Sequence, residues 1–199
     1  FFMFIMGVSM FFSLRKYDFK FTKTSFWKVK KRAVLIFLVG FAINFLVTLL
    51  YNGWEGMKEL RILGVLQRLA LAYGFGSFIG LTINHKYLLH TAAAFLLGYA
   101  ALLGFTGSTE LSEGNLIAVI DRALFGPTHM YHDYLPDGTR IAFDPEGLLS
   151  CLGSIGHVLI GFYAGKLIAD NKQDKALIVQ RLFILGTIIL FAGLLLSYG

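Results

Sequence analysis

The sequence predicts an all-α protein, a polytopic transmembrane helix bundle with about six spanning segments, the first of them truncated. Hydrophobic residues make up 56% of the 199 residues and charged residues only 15%, and the mean hydropathy is +0.67. Soluble domains carry roughly a quarter charged residues, whereas a helix that crosses a bilayer needs about 20 mostly apolar residues in succession. Six stretches approach this pattern: residues 1–14, 33–51, 62–83, 88–105, 148–168 and 182–198.

Both ends of the chain lie in apolar stretches. The first residue is Phe1, without a Met, and the last stretch runs almost to Gly199. We therefore expect an internal piece of a longer protein, forming a single transmembrane domain over residues 1–199. The one cysteine, Cys151, has no second cysteine with which to form a disulfide or a metal framework.

The charges are distributed unevenly between the loops. Eight of the 18 basic residues lie between Arg15 and Arg32, beside a single acid, Asp18. This pattern is typical of a cytoplasmic loop and argues against a nucleic-acid partner; a basic patch that holds a phosphorylated ligand remains the alternative. Alternation of the spans then places residues 106–146 outside, and this loop has seven acids against two arginines, a net charge of −5.

The outer loop over residues 106–146 is too long to be a simple connector, and loops of that length are usually functional. Within it, residues 116–124 predict a short interfacial helix, because five apolar residues recur on one helical face. They are Leu116, Ile117, Ile120, Ala123 and Leu124. His129 and His132 are three residues apart, but no further ligands accompany them, so we expect solvated loop histidines and no metal.

Three of the apolar stretches carry small or polar residues at a spacing of four, which places them on one helical face. Small residues allow helices to approach closely in a membrane. The positions are Gly40, Asn44, Thr48 and Asn52; Gly64, Arg68, Ala72, Gly76 and Gly80; and Gly153, His157, Gly161 and Gly165.

Arg68 is the one position that close packing does not explain. It lies seven residues beyond Arg61, hence about 10 Å deeper in the membrane. An arginine at such depth costs at least about 2.5–3.5 kcal/mol and usually faces a partner or a wet cavity. Gln67 is adjacent and could share a network with it. An ion pair with Asp144 or Glu146 is the structural alternative.

Asp144, Pro145 and Glu146 stand immediately before the fifth apolar stretch. Asp is a good N-cap, Pro suits the first helical position, and acids are favoured at a helix N-terminus, so the group can be a helix start and nothing more. Alternatively, the two carboxylates line an outward-opening cavity together with Arg68, where they would suit an amine or a sugar.

Several motifs resemble those of the heparan-alpha-glucosaminide N-acetyltransferase family. They are FFMFIMGVSMFFSL at residues 1–14, RILGVLQRLALAYGFG at 61–76, IDRALFGPTHMY at 120–131 and FDPEGLLSCLGSIGHVLIGFYAGKL at 143–167. The resemblance implies an integral, multi-pass acyltransferase of a plasma or inner membrane, lysosomal in animal relatives. Such an enzyme moves acetyl from cytoplasmic acetyl-CoA to the amine of a glucosamine-type acceptor on the other face. A homodimer is left open.

The resemblance also implies a set of site residues near the outward half of the bundle. Asp144 and Glu146 would be catalytic, because an attacking amine must lose its proton to a base. Arg68 and Gln67 would bind the acyl donor, through its thioester oxygen or its phosphates. Asp121, Arg122 and His129 would bind the acceptor. The family's catalytic histidine lies upstream of the segment that matches Phe1, so its role is not carried to any histidine here.

Two other classes of function remain open. A small-solute transporter or exporter would also use an intramembrane arginine and glycine-rich helices, although no inverted repeat is evident between the two halves. A relative of the acyltransferases without catalytic activity is the other.

Overall fold

The computed structural model describes residues 1–197 of the chain. Its helices are α1 (Phe2–Arg15), α2 (Lys23–Asn52), α3 (Val65–Thr82), α4 (Leu88–Phe105), α5 (Leu116–Phe125), α6 (Cys151–Asp170) and α7 (Lys175–Ser197). Short 3-10 turns occupy Glu55–Glu59, His85–Tyr87 and Pro127–His129. One antiparallel hairpin joins β1 (His132–Tyr134) to β2 (Arg140–Ala142), with Asp133 opposite Ile141. The prediction of an all-α bundle is confirmed.

Four helices are long and apolar enough to cross a membrane: Lys23–Asn52, His85–Phe105, Cys151–Asp170 and Lys175–Leu196. The apolar helix Phe2–Arg15 is shorter. Helix α3 lies where a span was predicted but is not among the four, because Gln67 and Arg68 lower its hydropathy. These apolar helices, with large hydrophobic side chains exposed along α2 and α7, identify an integral membrane protein.

Helix α6 forms the centre of the bundle. It packs against α1, α3 and α4, while α2 packs against the outer side of α3. Its side chains Val158, Leu159 and Phe162 are completely buried, together with Leu88 of α4 and Met10 of α1. Each predicted apolar stretch therefore coincides with a helix, and the fifth of them is the core.

The α1–α6 contact is a backbone crossing at two glycines. A Cβ at Gly161 would overlap the carbonyl oxygen of Phe4, and a Cβ at Gly7 would overlap that of Val158. Only glycine permits backbones to approach this closely, and in lipid such packing takes the place of the hydrophobic effect as a driving force.

The stripe of small residues on α3 packs against α6. A Cβ at Gly76 would crowd Val158, and one at Gly80 would crowd the ring of Phe162. The stripe on α6 faces elsewhere: Gly153 lies against the ring of Tyr99 in α4, and Gly161 against α1. The face that α6 presents to α3 therefore carries the larger Val158 and Phe162 side chains.

Two elements differ in extent or orientation from their predictions. Helix α2 begins at Lys23, where Thr22 and Ser25 form a capping box, because lysine and arginine are good helix formers even where the chain is no longer apolar. Helix α5 ends one residue later than predicted, at Phe125, and its buried residues are Ile117, Ala118 and Asp121, whereas Leu124 is exposed.

Candidate functional site

A partly buried ion-pair cluster joins the segment before α3 to the segment before α6; Asp144 is its buried member. Arg61 donates from Nε to Asp144 Oδ2 at 3.0 Å and from Nη2 to Asp144 Oδ1 at 2.7 Å. The same Nη2 donates to Glu146 Oε2 at 2.6 Å. One guanidinium thus binds both carboxylates, and planar forked donors make this kind of contact geometrically specific.

Asp144 is saturated with hydrogen bonds. It is 1% exposed, and in addition to Arg61 it accepts from the backbone N–H groups of Tyr131 and Glu146. Its bond to the Glu146 amide closes a tight turn, followed by further turns up to Ser150. Helix α6 begins only at Cys151, so the interpretation of Asp144 as its N-cap was wrong, and Ser150 occupies that position.

Glu146 is the accessible carboxylate of the cluster. Its side chain is 20% exposed, against 2% for that of Asp144. Oε2 is bound to Arg61, while Oε1 makes no hydrogen bond to any residue that the structure describes. Oε1 is thus available to a molecule that approaches from outside.

The Arg61 guanidinium is stabilised from several sides. Burial by itself lowers the pKa of Arg61, but the hydrogen bond and charge of Asp144, together with Glu146, outweigh it and raise that pKa above its ordinary value. The guanidinium also lies 5.0 Å from the centre of the Tyr131 ring, a cation–π contact. Its charge is therefore fixed at any physiological pH.

Arg68 and Gln67 face different neighbours, because consecutive residues on a helix point about 100° apart. Arg68 donates from Nε to Ser154 Oγ on α6 at 2.6 Å, so it pairs with neither Asp144 nor Glu146. Gln67 is 1% exposed and lies against Gly40 of α2, and its Nε2 has no hydrogen-bond partner among residues 1–197. The structure does not bring these two side chains into one network.

Asp121 is a buried carboxylate with one free oxygen. It is 0% exposed; Oδ1 accepts from the Leu148 amide at 3.0 Å, while Oδ2 has no partner in the described part of the chain. A Cβ at Gly147 would overlap Oδ2, so this approach requires glycine. Burial raises the pKa of Asp121 to about 6; the Leu148 bond opposes this rise and the charge of Asp144 adds to it.

Asp121→Asn should stabilise the protein at pH 7.5 and have little effect near pH 4. The pKa of Asp121 is raised in the folded state, so the folded state loses stability as the pH rises from 3.8, the ordinary pKa of an aspartate, through about 6. The asparagine cannot ionise, and the gain should be on the order of 2 kcal/mol. The measurement is the pH dependence of thermal unfolding in detergent, with Asp133→Asn as the control. Parallel pH profiles for wild type and variant would contradict this expectation.

Arg122 and His129 hold the outer loop together through backbone contacts. Arg122 donates to the carbonyl oxygens of Glu113 and Ala142. His129 Nδ1 lies 2.9 Å from the Leu60 carbonyl oxygen, and the His129 carbonyl accepts from the Ile62 amide. These two contacts fix the segment that carries Arg61.

A polar cleft of about 440 Å³ lies in the same loop region, lined by Glu113, Arg122, Pro127, His132, Arg140, Ile141 and Ala142. Burial and, after it, the charge of Arg140 lower the pKa of His132 below its ordinary value, against an opposing charge from Glu59. The cleft thus offers charged and neutral polar groups to a ligand with many hydroxyls.

In the described residues, no group of three or more His, Cys, Asp or Glu lies close enough to hold a metal ion. His157 is exposed and lies 2.9 Å from the Gly153 carbonyl oxygen through Nδ1.

Arg61 is the site residue that the sequence did not single out. Its partners lie 83 and 85 positions further along the chain, and no local pattern links them. The available signal was that opposite charges precede two apolar helices. Asp144 and Glu146 stand before one, Arg61 stands before the other, and both helices were predicted to start on the same side of the membrane.

Fold and site together define a helical integral membrane protein with a partly buried, ion-paired carboxylate cluster in the segments that precede two of its helices. The chain is 32% identical over 84 residues to heparan-alpha-glucosaminide N-acetyltransferase of Mus musculus, a match that covers 40% of this chain and 12% of that protein. It is 31% identical over 84 residues to heparan-alpha-glucosaminide N-acetyltransferase of Homo sapiens, covering 39% and 12%. No protein-family model matches the chain. The resemblance predicted from the motifs is confirmed by these two relatives.

Proposed function

We propose that this chain is part of a membrane-embedded acetyltransferase that moves acetyl from acetyl-CoA to the amine of an amino sugar. The names of the two relatives support the reaction class. The observation that carries the proposal is the cluster in which Arg61 and Asp144 hold Glu146 with one carboxylate oxygen free. In this arrangement the chain crosses the membrane several times, with residues 15–32 on the cytoplasmic side and residues 106–146 on the acceptor side.

Glu146 acts as the proton acceptor in the transfer. The amine nitrogen attacks the acetyl carbonyl carbon, a C–N bond forms, and the C–S bond to CoA breaks. The amine proton passes to Oε1 of Glu146, and the CoA sulfur leaves as a thiolate that takes up a proton. Asp144 is a positioning residue, because its oxygens are already occupied and it orients the guanidinium that orients Glu146.

Arg68 is proposed to bind the acyl donor. It projects from α3 towards α6 and uses only Nε, on Ser154; its two terminal nitrogens make no other hydrogen bond within residues 1–197. A guanidinium suits either the thioester oxygen, on which charge develops, or a CoA phosphate. Gln67 is enclosed between α2 and α3, so we leave it out of the proposed donor site.

The acceptor sugar is proposed to occupy the polar cleft that Arg122 lines. Asp121 and His129 then act on the acceptor indirectly. Asp121 holds the segment at Leu148, two residues after Glu146, and His129 holds the segment at Leu60, immediately before Arg61. Both contacts fix the position of the carboxylate cluster next to the loop.

Glu146→Gln in the complete protein should reduce acetyl transfer about 100-fold or more, because general bases typically contribute 10²–10⁴, while the melting temperature changes little. The assay measures CoA release and N-acetylated product from acetyl-CoA and glucosamine in proteoliposomes. Glu110→Gln is the matched control, an exposed acid of the same loop without an ion pair in the described chain, and it should retain full activity.

Full transfer by Glu146→Gln would remove the carboxylate from the mechanism. Wild-type vesicles that move glucosamine without releasing CoA would identify a transporter, and vesicles that do neither would identify a relative without catalytic activity.

A further inference from the structure

An apolar groove of about 460 Å³ runs between α2 and α3, and none of the residues of the carboxylate cluster lines it. Its lining consists of Phe21, Phe26, Val29, Lys30, Ala33, Ala70, Leu71, Gly74, Phe75, Phe78 and Leu81. Along α3 it extends from Ala70 to Leu81, about 16 Å at 1.5 Å per residue. This length is close to the apolar half-thickness of a bilayer, about 15 Å.

One end of the groove is strongly basic. Phe21, Phe26 and Lys30 belong to the segment from Arg15 to Arg32, which carries eight basic residues and one acid. The Lys30 side chain lies over the Trp27 ring, with Nζ 4.9 Å from its centre. Tryptophan and lysine are typical of the level of lipid headgroups, so this end of the groove lies where a phosphate would be.

We propose that the groove is a binding site for an anionic phospholipid, with one acyl chain between α2 and α3 and the phosphate on Lys30. The charge of Lys30, the one basic side chain in the lining, selects an anionic headgroup over a zwitterionic one. This inference does not depend on the proposed acetyl transfer.

The apolar lining does not suit acetyl-CoA, the other phosphate-bearing ligand that the chain is proposed to bind. Lys30 is the only residue of the lining with a polar or charged side chain. The pantetheine arm of CoA carries two amides, and these would lose their hydrogen bonds to water without finding partners in the groove. An aliphatic chain suffers no such loss.

Small side chains keep the groove open. Gly74 faces Ala33 across it, and a Cβ at Gly74 would meet the Ala33 Cβ at 3.8 Å, an ordinary contact. A leucine at Gly74 can therefore extend into the groove without a backbone clash and narrow it. The variant Gly74→Leu obstructs the path of the acyl chain, whereas Lys30→Gln removes the charge for the phosphate.

The experiment measures lipid retained by the delipidated complete protein from an equimolar mixture of phosphatidylglycerol and phosphatidylcholine with identical chains, by native mass spectrometry. Wild type should retain phosphatidylglycerol preferentially. Lys30→Gln should reduce this preference about fivefold, and Gly74→Leu should lose bound lipid of both kinds. The controls are Lys16→Gln, in the basic segment but outside the groove, and Gly98→Leu, at an open helix position; both should behave as wild type.

Equal retention of the two lipids by wild type, or wild-type retention by Gly74→Leu, would overturn the proposal. Displacement of the lipid by excess acetyl-CoA would assign the groove to CoA and would overturn it too. If Gly74→Leu melts earlier than wild type, Lys30→Gln alone decides: an unchanged lipid preference in that variant refutes the site.

Discussion

Arg61→Met is expected to lower the free energy of unfolding by about 3 kcal/mol, because breaking a buried ion pair leaves an uncompensated charge. Without the guanidinium, Asp144 remains 1% exposed and retains only the two backbone amides of Tyr131 and Glu146. The measurement is equilibrium unfolding of the purified protein in detergent, with acetyl transfer assayed in parallel. Activity should be lost as well, since Glu146 loses the group that orients it.

Two further variants make the Arg61 prediction specific. Arg140→Met breaks an ion pair with Glu59 of 3.6 Å whose side chains are 51% and 59% exposed, and it should cost less than about 1 kcal/mol. Arg61→Met combined with Asp144→Asn should recover much of the lost stability, since Asp144 then has no charge to leave unpaired, and Glu146 is more exposed than Asp144. Equal stabilities for Arg61→Met and Arg140→Met would mean that the cluster is not buried as described.

Gly161→Ala is expected to destabilise the bundle by about 1–3 kcal/mol, the usual range for overpacking. The added methyl overlaps the backbone of α1 at Phe4, and a backbone cannot move aside as the end of a flexible side chain can. The helices must separate, which loosens the packing of α6 in the core. Thermal unfolding in detergent, followed by circular dichroism, measures the loss.

Gly98→Ala is the matched control for Gly161→Ala. Gly98 lies inside α4, and a Cβ there would meet nothing within 4 Å. Because alanine is a better helix former than glycine by about 0.8–1.0 kcal/mol, this variant should be as stable as wild type or more so. If Gly161→Ala and Gly98→Ala have the same melting temperature, α1 and α6 do not cross as closely as the structure shows.

Hydropathy and charge were sufficient to predict the class of fold and the position of every long helix. They did not predict where helices begin. At α2 the apolar stretch starts at residue 33, yet the helix starts at Lys23. Lysine and arginine are good helix formers, so the backbone stays helical outside the hydrocarbon core of the membrane. At α6 the apolar stretch starts at 148, yet turns continue to Ser150, since Asp144 binds Arg61 and not the helix N-terminus.

The sequence singled out both carboxylates of the ion-pair cluster but not the arginine that binds them. The sequence drew attention to Asp144 and Glu146 and to a buried arginine, but it favoured Arg68, the deeper one. The depth of a residue in the membrane is a local property, because it follows from the number of residues between that position and the start of the helix. Whether a guanidinium reaches a carboxylate depends on how α3 and α6 pack, which involves residues more than 80 positions apart. The free oxygen of Asp121 likewise depends on a distant glycine, Gly147.

The central position of α6 determines when the protein can finish folding. Gly7 and Val158 touch at the α1–α6 crossing, yet most of the chain is made between them. During synthesis, the surfaces of α1, α3 and α4 that contact α6 therefore stay uncovered until α6 has been made. Contacts between residues so far apart in sequence form late. A ribosome that stalls before residue 151 leaves an assembly without its core, which quality-control proteases would be expected to remove.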